Sequence, residues 1–374
     1  MGIYCNRKQI FAFWDKFSRI HCIDTINIRC KVNYVRTRTY SSSIAKDRYR
    51  VLFFGSDNFS LASLRALVNE QKSTSSVIDN IEVVSSPDQR TGRNMKHVRK
   101  TLVKQFAEEF GLIVHDAPQK SLDDWKPPSL FDLGIVVSFG YFIPANVLKT
   151  FSRGAINVHP SLLPMYRGAS PIQYSILNGD VETGITIQEL HHEVFDAGRI
   201  LRQIKMPIPP RSTYKSLESI LAEQGAELLI DTIKDLDVIR SKVREQDSEK
   251  VTYARKIQKE MSYINWSDQT AEEIERLHRA ISHQYALRTT FLDRQIQLTS
   301  VTLPPSDSHP LTTQSPLFPG TLFYDKNSKI LLIACKDNSF IACSRVKMEL
   351  KKDIDVKDWV NGYDIVNGVT RFGI

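Results

Sequence analysis

The chain has no apolar stretch approaching the roughly 18 residues of a membrane span, so an integral helical membrane protein is not expected. It also lacks the glycine-rich dinucleotide fingerprint. After the apolar run Arg50 to Phe54 the chain reads Gly55-Ser56-Asp57-Asn58-Phe59, without G-x-G-x-x-G spacing. Cysteine is scarce. Cys5, Cys22 and Cys30 fall near the N-terminus, whereas Cys335 and Cys343 sit in alternating apolar stretches without C-x-x-C spacing. That usage excludes a disulfide scaffold, suggests no zinc site, and reads as small core residues of a reduced compartment. Acidic residues are missing where basic ones gather. Residues 1 to 46 carry nine Lys or Arg against two Asp, which leaves only about +1 of the total +8 for the rest of the chain. Gln89 to Gln105 holds Arg90, Arg93, Lys96, Arg99, Lys100 and Lys104 with no acid.

What is present at the N-terminus has a targeting pattern. Ile10, Phe13, Phe17 and Ile20 share one helical face with Lys16 and Arg19 elsewhere, in a segment rich in Arg, Lys, Ser and Thr. This predicts a mitochondrial presequence over 1–46, with a basic tail as the alternative. Asp15 and Lys16 interrupt the apolar run and argue against a secretory signal. The length, with 41% hydrophobic and 25% charged residues, indicates a soluble globular protein of two domains plus an appendage.

Strand-like runs at 50–55, 81–84, 112–115, 133–137, 155–159 and 184–190 alternate with helical patterns at 59–68, 94–110 and 170–177. That alternation predicts an α/β domain with a Rossmann-like open, mostly parallel sheet over 47–238, closed by a long helix from Thr213 to about Leu236. The charged residues 239–252 read as a linker. After them, 253–374 combine a helix over 266–282 with short β runs at 286–291, 295–298, 321–324, 330–335 and 340–343. Short strands with polar turns predict a small C-terminal β-barrel, and the proline-rich stretch 304–319 is expected as a loop.

The chemistry concentrates in N-V-H-P-S-L-L-P-M-Y-R-G, Asn157 to Gly168, and in H-H-E-V-F-D-A-G, His191 to Gly198. Asn157 and His159 are two apart, so on a strand ending at 159 they emerge on one face. Asp196 reaches them only through tertiary folding. An amide donor, a protonatable ring and an orienting acid suit acyl transfer, in which charge develops on a carbonyl oxygen. Ligands of open α/β sheets gather at carboxyl ends of strands, where these segments and Phe139-Gly140 fall. Each residue alone has a plainer reading: a turn-forming Asn, a satisfied His, a solvated acid. His191 and His192 lack a third partner spaced to hold a metal.

These two strings, with P-I-Q-Y-S-I-L-N-G-D-V-E-T-G-I-T-I from Pro171 to Ile187, resemble the folate-dependent formyltransferases and look like their methionyl-tRNA branch. The resemblance runs from about Arg50 to Ile374. It implies the formyltransferase fold with an oligonucleotide-fold-like barrel behind it, a monomer, and transfer of a formyl group from 10-formyltetrahydrofolate to initiator-type methionyl-tRNA in the mitochondrial matrix. No metal and no membrane take part. It assigns catalysis to Asn157, His159 and Asp196, the carboxylate keeping His159 cationic and oriented. The folate-binding turn is carried onto Ser161, Leu162, Leu163 and Pro164, and the pterin walls onto Phe139, Gly140, Glu193, Val194 and Phe195. Arg90, Arg93 and Lys96 match a mobile basic loop that enters the tRNA acceptor stem, with Gly92 at its bend. Lys347, Lys351 and Lys352 add a second basic patch, whereas Lys100 and Lys104 fit a solvated helix face. The family usually has Thr where Ala197 stands, a lost hydroxyl in the aspartate loop. Another enzyme of this fold, acting on a different amine or on water, and a noncatalytic RNA-binding module are the alternatives.

Overall fold

A computed structural model of the chain describes residues 48–91, 93–305 and 317–373. The segment expected as a presequence, Gly92, much of the proline-rich loop and the Arg93 side chain lie outside the described residues.

The first domain is built on a seven-stranded sheet. Its strands are β1 (Tyr49–Gly55), β2 (Ile78–Ser85), β5 (Ile113–Asp116), β6 (Leu133–Val137), β7 (Ala155–His159), β8 (Glu182–Glu189) and β9 (Ile200–Pro207), in the order β5-β2-β1-β6-β7-β8-β9. From β5 to β7 the strands are parallel, and β8 and β9 are antiparallel additions. β1 is central and buried on both faces, which explains its unbroken apolar run. Val51 and Phe53 join one core with Leu64 and Leu67 of α1 (Asn58–Gln71) and Leu221 and Leu229 of α5 (Tyr214–Lys234). Leu52 and Phe54 point the other way, to a smaller core with Phe139, Ile143 and Phe151. Each such side chain contributes about 2 kcal/mol when fully removed from water.

Local signals set the helix ends. Asp57 caps α1 and Thr213 caps α5, each in a reciprocal capping box with the serine three residues on. The helical pattern expected over 94–110 is corrected by the structure. Its first part belongs to a hairpin of β3 (Gln89–Thr91) and β4 (His97–Arg99), and α2 (Leu102–Glu109) begins only after the Thr101 cap. Asn94 and Met95 take left-handed φ of 61° and 55°, which no continuing helix tolerates. β9 was not anticipated. It is an edge strand with partly exposed alternate residues, so its apolar signal is weak.

Two short helices, α3 (Ala145–Leu148) and α4 (Pro171–Leu177), flank the strand ends, and α6 (Leu236–Arg240) follows α5. In the second domain the helix expected over 266–282 is shorter: α7 (Ala271–Ile281) starts where Thr270 and Glu273 form a capping box. α7 packs against α4, and Arg276 Nε donates to Leu177 O at 3.1 Å. The sheet runs β10 (Leu287–Phe291), β11 (Arg294–Thr302), β14 (Phe340–Met348), β13 (Ile330–Ala334), β12 (Leu322–Asp325), with β15 (Asp353–Asp355) on β14 and α8 (Val356–Asn361) behind it. β10 and β12 do not pair. The tail closes the gap between them, since Leu322 N donates to Thr370 O at 2.9 Å and Gly373 N to Thr290 O at 3.0 Å.

Candidate active site

The site lies where β6 and β7 end. β7 alternates: Ile156 and Val158 enter the larger core, so Asn157 and His159 face the opposite side of the sheet. β8 brings Gln188 directly opposite Asn157. The chain then turns through 191–199 and returns as β9. Gly198 makes that turn possible, because a Cβ there would lie 1.6 Å from Glu189 O. Asp196 sits in the turn at a left-handed φ of 54°, a conformation sparsely populated by non-glycine residues.

The Asp196 carboxylate is the meeting point. Its Oδ1 lies 3.0 Å from Gln188 Nε2, 3.4 Å from Asn157 Nδ2 and 3.5 Å from His159 Nδ1, and its Oδ2 accepts from Gly168 N at 2.9 Å. The expected trio is therefore brought together, and His159 is only 4% exposed. The other ring nitrogen is committed: Nε2 lies 2.9 Å from Tyr166 O, a carbonyl that only accepts, so Nε2 carries a proton. That leaves Nδ1 as the nitrogen facing the carboxylate.

These residues line a cavity of about 480 Å³, within the range of small-molecule sites. Phe139, Gly140 and Tyr141 form one wall, and Val194 and Phe195 the rim. The Phe139 and Tyr141 rings are 4.9 Å apart, and Phe142 meets Phe195 edge-on at 5.0 Å. A wall of flat apolar faces beside polar backbone fits a planar heterocycle. Ser161, Leu162, Leu163 and Pro164, expected as a folate-binding turn, lie outside this cavity. They form a turn beneath the site, tied to β8 by Leu163 N donating to Thr186 Oγ1 at 3.1 Å and Thr186 Oγ1 donating to Ser161 O at 2.7 Å. None of the four lines the cavity, and neither does Glu193.

Sequence reasoning missed several contributors. Gln188 lies in the strand-like run Gly184 to Leu190, out of phase with the core-facing Ile185 and Ile187 and opposite Asn157, and it is 2% exposed. Asp57 lines the cavity while capping α1, and burial pushes its carboxyl above the ordinary value, with Ser60 pulling it back. Tyr166, at φ 62°, donates its hydroxyl to Asp180 at 2.6 Å. Burial and that carboxylate push its pKa up to about 12. Gln246, in the stretch read as a linker, gave no signal, yet it donates to both Asp196 O and Gly198 O at 2.8 Å.

The His191–His192 pair is a turn device. The His191 Nδ1 accepts from the amides of Glu193 and Val194 at 3.1 and 3.2 Å, so that nitrogen is occupied. Among the described residues, no three His, Cys, Asp or Glu side chains gather as a metal site.

Of the basic residues, Arg90 and Lys96 are exposed on the β3–β4 hairpin and its turn. Lys100 pairs with Glu108 at 2.7 Å, and Lys104 is buried between Asp88 and Asp116 at 2.9 and 2.7 Å. Lys347, Lys351 and Lys352 are exposed, and Lys351 also lies over the Tyr363 ring. Arg345, beside them, is spent on Asp353 and Asp355 at 3.3 and 2.6 Å.

Two family models match the chain: "Formyl transferase" over residues 49–233, and "Formyl transferase, C-terminal domain" over 256–364. An N-formyltransferase from Helicobacter canadensis, solved with folinic acid and dTDP-3-aminofucose, superposes with a TM-score of 0.54 at 19% identity, covering 80% of this chain and 99% of that one. At that identity the likeness concerns the fold, which with the family matches defines the class as formyl transferase. The mitochondrial methionyl-tRNA formyltransferase of Homo sapiens is 38% identical over 321 residues, 85% of this chain and 78% of its own length. That of Enterococcus faecalis is 32% identical over 317 residues, 84% of this chain and 96% of its own. The chain belongs to the methionyl-tRNA formyltransferase family.

Proposed function

We propose that this protein transfers the formyl group of 10-formyltetrahydrofolate to the α-amino group of methionine on an initiator-type tRNA, in the mitochondrial matrix. The observation that carries this reading is the convergence of Asn157 and His159 on Asp196, both within 3.5 Å of its Oδ1, beside a cavity with aromatic walls. The pterin of the formyl donor would lie against Phe139 and Gly140, under Val194 and Phe195.

The acceptor amine attacks the formyl carbon, forming a new C–N bond and placing negative charge on the formyl oxygen. Asn157 Nδ2 and His159 Nδ1–H are the donors for that oxyanion, each contact being worth about 3 kcal/mol. Asp196 holds both groups from one side, and Gly168 N and Gln188 hold Asp196 in turn. The proton lost by the attacking nitrogen passes through Asp196 or His159 to N10 of the folate as its bond to the formyl carbon breaks. A free α-amino group has a pKa of roughly 7.7 to 8.0, so the neutral amine is available without a dedicated strong base.

The tRNA acceptor stem would meet Arg90, Arg93 and Lys96 of the hairpin and Lys347, Lys351 and Lys352 of the second domain. Phosphate contacts act locally, so a chain with little net charge beyond its first 46 residues can still bind RNA in a salt-dependent way. The test is incubation with formyl-labelled 10-formyltetrahydrofolate and a panel of aminoacylated tRNAs. Label on methionylated initiator tRNA alone is the expected result. Label on no tRNA, or formate released to water at the same rate, refutes the reading.

A further inference from the structure

We infer that Gln246 is a positioning residue for Asp196 in formyl transfer, an inference that rests on the function proposed above. Residues 234–255 lie between the two matched family regions, and 239–252 of them were expected as a linker. Instead the second half of the segment is strapped onto the elements that build the site. Arg244 exchanges both backbone hydrogen bonds with Ile200 at 2.8 and 3.1 Å, and Arg167 pairs by backbone with Thr252 and Ala254 at 2.9 and 2.8 Å. The strap therefore touches both loops that build the site.

Gln246 is the one side chain of the strap that reaches Asp196. Its Oε1 accepts from Arg167 Nε and Nη2 at 3.0 and 2.7 Å. A guanidinium only donates, so the amide orientation is fixed by chemistry and Nε2 must face the other way. There Nε2 finds the carbonyls of Asp196 and Gly198 at 2.8 Å and Gln188 Oε1 at 3.2 Å. The contact to Gln188 fixes a second amide. With its oxygen turned to Gln246, Gln188 must aim Nε2 at the Asp196 carboxylate, 3.0 Å away.

Asp196 is thus held twice, by its backbone carbonyl and, through Gln188, by its carboxylate. The need follows from its left-handed backbone, which the 191–199 turn does not favour by itself. Its side chain is committed to Asn157 and His159, so the backbone must be anchored from elsewhere. Gln246 supplies that anchor while touching neither the cavity nor the reacting atoms.

The test uses the full-length protein with Gln246→Glu and Gln246→Met. Glutamate keeps and strengthens the acceptor for Arg167 but sets an oxygen against two carbonyls, so a role confined to bracing the strap survives it and the positioning role does not. Expected for Gln246→Glu are a melting temperature within about 2 °C of the parent and a kcat at least about 10-fold lower with KM for tRNA within about 2-fold. Amide hydrogen exchange in the 190–199 segment should be faster in both variants. Parent-like exchange there overturns the proposal even if the rate falls, and so does faster exchange with the parent's kcat. Should the parent itself fail to formylate methionyl-tRNA, the proposed function fails, and the exchange arm alone then decides whether Gln246 holds the loop.

Discussion

Gly198→Ala is the sharpest probe of the aspartate turn. The added Cβ would sit 1.6 Å from Glu189 O, where real Cβ contacts essentially never fall below 3.0 Å, so the turn and the end of β8 must separate by more than 1 Å. Neither side moves freely. Glu189 N donates to Arg199 O at 2.9 Å, and the Glu189 carboxylate holds Arg199 and Arg240 at 2.6 and 3.2 Å. The displacement is therefore passed along two residues to Asp196, whose contacts to Asn157 and His159 are already 3.4 and 3.5 Å. A misplacement of about 1 Å at a reacting centre costs on the order of 100-fold in rate. Overpacking adds roughly 2 kcal/mol of destabilisation, or a fall of about 4 to 8 °C in a domain of this size. Single-turnover formyl transfer with saturating folate and tRNA, measured with a thermal melt, reads both effects. A variant with the parent's rate and melting temperature would show that the turn is compliant, and the reasoning about its rigidity would be wrong.

Removing a donor or the acid that holds it should act on turnover more than on binding. His159→Ala and Asp196→Asn are each expected to lower kcat by about 100-fold or more while folate affinity, followed by quenching of protein fluorescence, stays within about 3-fold; unchanged rates would favour a noncatalytic role. Arg90→Ala combined with Lys96→Ala should raise KM for methionyl-tRNA and flatten its dependence on salt by nearly two counterions, leaving folate binding alone. An unchanged salt slope removes the hairpin from tRNA recognition. Lys104→Met tests the base of that hairpin. Burial works against the Lys104 charge, but Asp116 and Asp88 outweigh it and raise its pKa above the ordinary value. Its contribution is therefore complete below about pH 10.4 and disappears as pH rises through the elevated value in the folded state. Both partner carboxylates are partly exposed, so the variant should lose about 1 kcal/mol at pH 8, a gap that closes in melts as pH rises through the raised value. A gap independent of pH would assign the loss to packing.

Much of the catalytic half was legible because its strands are unusually plain. β6 and β7 run over the residues that their apolar runs mark, and the two-residue spacing of Asn157 and His159 translated directly into a shared face. The hairpin at 89–99 was not legible, since its basic residues carry no apolar period and its turn depends on left-handed backbone at Asn94 and Met95. That the turn at 161–164 stands apart from the cavity was not legible either. Its neighbours in sequence, His159 and Gly168, line the cavity, but Leu163 N and Leu163 O are taken by Thr186 and Gln203, which draws the turn beneath the sheet. Gln246 illustrates the hardest case. A polar residue amid charged ones reads as solvated unless the carbonyls it will meet, some fifty residues upstream, are already known to be there.

The strap from Arg244 to Ala254 also bears on where this enzyme can be divided. An excised first half ending with α5 would carry every side chain that touches the cavity and still lack the anchor of its acid, so a minimal catalytic fragment must extend to about Ile257, whose amide closes on Ser170. Fusions, split reporters and domain exchanges made at Lys234 would sever chemistry from its own support, whereas a junction placed after Ile257 keeps the two together.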